Sequence, residues 1–132
     1  MDYKSYKELK GYQWAKDVIS GKFKANKYVI LECSRYINRL EKIQYQDDFK
    51  FYFDIDEANI VYGLTSLINY STGFYANEPV FNHLAGFQCF VIENVFCWFS
   101  KEKDENGLTT KMVEEVYLEV GRKSGKMICH LI

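Results

Sequence analysis

The chain has 132 residues, 48% of them apolar, with 17 basic against 18 acidic side chains. That suffices for one globular domain with a real core, spanning 1–132, and excludes a second full domain. The near balance of charge excludes a global field toward nucleic acid or an anionic membrane, and eleven tyrosines with ten phenylalanines exclude disorder.

Taken in chain order, residues 3–19 carry Tyr6, Leu9, Trp14, Val18 and Ile19 among charges, a helical spacing that stops at Ser20 and Gly21. A second helix is predicted over 26–43, with Tyr28, Val29, Leu31, Cys33, Tyr36, Ile37 and Leu40 as its apolar face. Glu32, Arg35, Arg39 and Lys42 then face water. Phe49, Phe51 and Phe53 alternate with Lys50 and Tyr52, which reads as a short strand over 49–53 or as an extended segment pinning aromatics into the core. Asp54 followed by Glu57 looks like a capping box opening a third helix that carries Ile60, Val61, Leu64, Leu67 and Ile68.

The stretch 71–79 breaks the periodicity. From 81 to 99 the chain is apolar nearly all round, so a fourth, central helix is expected there. A charged turn, "KEKDENG", separates it from a strand over 113–120 with Val116, Leu118 and Val120 on one face. The expected fold is therefore mainly α: four helices in a compact domain with a small β element, about 49–53 and 113–120, near the C-terminus.

Cys33, Cys89, Cys97 and Cys129 show no CxxC pairing and the histidines are His83 and His130 alone, so reduced thiols and no metal site are expected. "MDYKSYKELKGYQ" does not resemble a signal peptide, and the most apolar run, "FQCFVIENVFCWF", is interrupted by Glu93 and Asn94 and too short to span a bilayer. A cytoplasmic setting follows as the expectation. Lys22, Lys24, Lys27, Arg35 and Arg39, with Lys42, could make a basic stripe for weak DNA contact, diluted by Glu32 and Glu41.

The strand over 113–120 runs into "GRKSGKM", in which Gly125 and Lys126 occupy the end of a phosphate-loop pattern. Two positions depart from it: Val120 stands where the first glycine belongs, and Met127 where a hydroxyl would bind Mg²⁺.

"VEEVYLEVGRKSGKM" resembles the stretch YxEVxRKNGKS that opens the packaging ATPase of tailed-phage terminase large subunits, matching at Tyr117, Glu119, Val120, Arg122, Lys123, Gly125 and Lys126. "AKDVISGKFKANKYVILECSRYINRLEK" is similar to the opening of the same family, where a helix ends in a serine-glycine-lysine turn and a second helix follows. "FNHLAGFQCFVIENVFCWF" is similar to its PFxLxxWQxFIxxNxFGW segment, with Phe87 for the tryptophan and Gln88 aligned.

The resemblance implies viral DNA packaging inside a host cell. Gln88 would contact adenine, Lys126 and the amides around Ser124 and Gly125 would hold phosphates, and Arg122, next to Lys123, would take the place of a transition-state arginine. ATP and Mg²⁺ enter only through this resemblance. The sequence stops six residues after Lys126, before the acidic pair such a motor needs, so a truncated, non-hydrolysing product without a cofactor is the expectation. Its partners would be packaging components, or a second copy paired through the C-terminal strand. The alternative expectation is a phage- or mobile-element-encoded inhibitor or decoy that binds a host or rival nucleoprotein machine, as an anti-CRISPR or packaging-interference factor does.

Overall fold

The structure is a computed structural model and describes residues 1–113. It is mainly α. The helices are α1 (Lys10–Ile19), α2 (Lys27–Glu41), α3 (Ile55–Leu67) and α4 (Gly86–Phe96), and two short strands, β1 (Phe51–Phe53) and β2 (Trp98–Ser100), pair antiparallel with Phe51 opposite Ser100 and Phe53 opposite Trp98.

The single helix expected over 3–19 is divided. Ser5 and Glu8 close a capping box on a 3-10 turn, Tyr6–Glu8, and Leu9 then turns extended at φ −74°, ψ 138° to bury its side chain fully. Leu9 is thus the residue before α1, and an isobutyl group cannot cap a helix. At the other end Gly21 takes φ +86°, the left-handed conformation that lets the Lys22 N–H reach back to the Asp17 carbonyl at 2.9 Å.

Asn26 starts α2 by accepting from the N–H groups of Tyr28 and Val29 at 3.0 and 2.9 Å. The helix turns Cys33, Tyr36, Ile37 and Leu40 inward, but Tyr28 and Leu31, expected on that face, stand in solvent. After it, buried Gln44 donates to the Leu40 carbonyl at 2.7 Å and accepts from the Phe53 N–H at 3.2 Å, which ties the end of α2 to β1. Asp54 caps α3 by accepting from the Asp56 N–H at 3.0 Å.

One correction concerns the C-terminal half. The helix expected over 81–99 is shorter: a 3-10 turn, Val80–His83, precedes α4, and Trp98–Ser100 is a strand. Among the described residues that strand is the partner of Phe51–Phe53. Trp98 lies fully buried with Phe49 and Phe53 edge-on to it at 6.4 and 5.4 Å between ring centres, so the aromatic alternation of 49–53 packs on an indole that the strand geometry delivers. A bridge between Phe99 and Lys111 continues the sheet toward Val113, and the rest of the strand expected over 113–120 lies outside the described residues.

α1 and α4 form the centre, with α2 on the far side of α1 and α3 against α4. The two central helices approach closely because glycines face large groups. A Cβ at Gly86 would overlap the Trp14 ring, and one at Gly11 would overlap the Glu93 carboxylate. Among the described residues no helix is long and apolar enough to cross a membrane.

Candidate functional site

The one acidic residue of α4 sits where all four helices meet. Glu93 is fully buried, and its carboxylate accepts from Tyr36 Oη of α2 at 2.6 Å, from Tyr62 Oη of α3 at 2.5 Å and from the Gly11 N–H of α1 at 2.8 Å; the Tyr12 N–H also donates to it. Gly11 and Tyr12 are in the first turn of α1, whose N–H groups have no partner within the helix. Glu93 therefore supplies from another helix the cap that Leu9 cannot, with the positive end of the α1 dipole behind it.

Burial pushes the Glu93 carboxyl up to about 7, against the pull of its four hydrogen bonds. Burial first, and the facing carboxylate second, hold the Tyr36 and Tyr62 hydroxyls well above the usual tyrosine range. Every oxygen of the carboxylate is thus engaged and none meets solvent. This group fastens helices together and has no face from which to take a proton from a substrate.

Beside it opens a cleft of about 340 Å³ lined by Tyr3, Lys10, Tyr62, Phe81, Asn82 and Cys89. Tyr62 is the wall between the cleft and Glu93. Its ring stands edge-on to Tyr3 at 6.0 Å and to Phe81 at 5.9 Å. The Lys10 ammonium at the cleft donates to the Leu84 carbonyl at 2.5 Å. The cleft can receive a flat apolar group, but the acid behind its wall is not presented to it.

Gln88, expected to contact adenine, is buried in the first turn of α4, where its carboxamide oxygen accepts from the Ala85 N–H at 2.7 Å. In the described residues it serves the start of its own helix. Arg122, Lys123, Ser124, Gly125 and Lys126 lie outside the described residues, so the loop and Gln88 are not seen together.

Of the basic stripe, Arg35 is paired with Glu32 at 2.7 Å and Lys22 with Asp17 at 3.8 Å, while Lys27 stands 5.2 Å over the ring of Tyr28. His83 is held by stacking on Tyr75 at 3.6 Å and by Glu78 at 2.8 Å. Cys33, Cys89 and Cys97 are buried, and burial pushes the Cys33 thiol up to about 11. No group of three metal-ligating side chains is gathered among the described residues.

Glu93 escaped the reading of the sequence, which met it only as an interruption of an apolar run. The usable signal was its isolation. A lone carboxylate in an otherwise apolar helix demands donors from its neighbours, and a tyrosine on the inner face of each flanking helix supplies two. Comparison with protein families, with curated proteins and with solved structures finds no match for this chain.

Proposed function

We propose that the chain is the helical region of a viral DNA-packaging ATPase of the large-terminase type, leading into its nucleotide loop. Its own activity is binding rather than catalysis, and alone it does not hydrolyse ATP. The reading rests on three blocks of resemblance in the order of that family. What supports it most is the hydrogen bond from Tyr36 to Glu93 at 2.6 Å, because Tyr36 lies in the first block and Glu93 in the second. Two stretches chosen for their resemblance are thereby halves of one packed unit, and β2 then leads toward Val113, where the third block begins.

Met127 argues against turnover. A thioether is a poor ligand for Mg²⁺, so a loop of this kind would hold phosphates through Lys126 and the amides around Ser124 and Gly125 without placing the metal.

Titrating the full chain with a fluorescent ATP analogue tests the reading. Binding that weakens about tenfold in Lys126→Ala is expected, since one charge-assisted phosphate contact is worth on the order of 1.5–3 kcal/mol. Phosphate release should stay at background with Mg²⁺ present. Turnover abolished by Lys126→Ala would overturn the non-hydrolytic part, and nucleotide binding indifferent to Lys126 would overturn the loop itself.

A further inference from the structure

Between residues 51 and 100 there is no lysine or arginine, and the acids there are Asp54, Asp56, Glu57, Glu78 and Glu93. Within this stretch α3 exposes Ile60 by 57%, Leu64 by 54% and Leu67 by 80%. Their 4-3 spacing puts them on one face, and Asp56 and Glu57 fall on the same face one turn earlier. The outer side of α3 is thus an apolar stripe with an acidic end.

On α2 the chain carries the complement. Tyr28 and Leu31 are exposed by 67% and 46%, and Lys27, Leu31 and Arg35 recur every fourth residue beside Tyr28 on the outward face. That side is an apolar stripe with the cation Lys27 at its start, while Arg35 further along is already paired with Glu32 at 2.7 Å. Tyr36 of α2 and Tyr62 of α3 both turn inward to Glu93, so the outward stripes of the two helices lie on opposite flanks of the molecule and do not meet within one copy.

We propose that the protein self-associates head to tail, the outer face of α3 on one copy receiving the outer face of α2 on the next. The interface is a parallel helix pair: Ile60 and Leu64 meet Tyr28 and Leu31, with Lys27 reaching the Asp56 and Glu57 end. A symmetric pairing of α3 with α3 is disfavoured. Antiparallel, it buries Asp56 and Glu57 against the leucines of the other copy with no counter-charge; parallel, it sets acids against acids. Because the two faces differ, each copy keeps one of each, and the contact builds a ring or an open chain. This inference is independent of the packaging reading, since it uses only the described faces.

Sedimentation velocity up to ~100 µM tests it, a range that fills sites of micromolar Kd. The wild type should form species larger than a dimer, less so in high salt. Leu31→Glu, which spoils the α2 face, and Leu67→Lys, which spoils the α3 face, should each be monomeric and melt like the wild type. Mixed, they should give a one-to-one dimer and stop there, because one intact face of each kind remains. Lys27→Glu and Asp56→Lys should each weaken assembly about tenfold, and mixing them should not worsen it further at the swapped junction. A wild type that is monomeric throughout would overturn the proposal. A dimer that survives both single variants would overturn it as well.

Discussion

α3 and α4 are the two most apolar helices of the described chain, and neither has a clean hydrophilic side, yet they meet opposite fates. α4 is in the middle and its one acid is buried with four donors around it, while α3 lies on the flank and leaves Ile60, Leu64 and Leu67 in water. Apolar content decides that a helix wants neighbours, and the order of packing decides whether it finds them. A polar group inside α4 had to be satisfied for the fold to close, whereas an apolar face outside α3 costs little until something covers it.

The contrast is broken most severely at Glu93. Glu93→Ala would strand the Tyr36 hydroxyl and two N–H groups in a dry interior and leave the Tyr62 hydroxyl only the Cys89 carbonyl at 3.3 Å, and a loss of about 3–5 kcal/mol is expected from urea unfolding. Next comes pH. The folded carboxyl at about 7 lies above the ordinary 4.5, so folding takes up a proton between those values. The Glu93 contribution is therefore complete below about 4.5, falls as pH rises through 7, and totals about 3 kcal/mol. Subtracting the unfolding profile of Glu93→Gln, which cannot titrate, isolates this slope from that of Glu41, which Lys16 and Tyr12 hold below the usual carboxylate range and which acts with the opposite sign.

Tyr62→Phe removes one donor and keeps the ring, for an expected loss of about 1–2 kcal/mol in the same assay. Smallest is Leu67→Lys on the exposed face of α3, where stability should stay within about 0.5 kcal/mol while self-association disappears. A large destabilisation there would mean that the face is covered within one copy.

Most of the architecture was legible from periodicity and punctuation. Asp54 caps the helix it was expected to open, and the apolar run of 81–99 does hold the central helix. The 3.6-residue period failed where tertiary contacts overrode it. Leu9 leaves the helix to enter the core, and Trp98 belongs to a strand because Phe53 and Phe49 need its ring between them. It also could not distinguish a face that a neighbour covers from one that nothing covers, which is why Tyr28 and Leu31 were expected inside. At Gln88 the sequence offered a recognition residue, and the described structure finds it occupied with the first turn of α4.

The loan of a cap to α1 also sets an order of events. A ten-residue helix with no stop signal at its own beginning barely forms alone in water, and its missing acceptor arrives 82 positions later along the polypeptide. During synthesis the first helix should therefore stay frayed until the ribosome has delivered Glu93, making a segment near the N-terminus among the last to become protected from amide exchange.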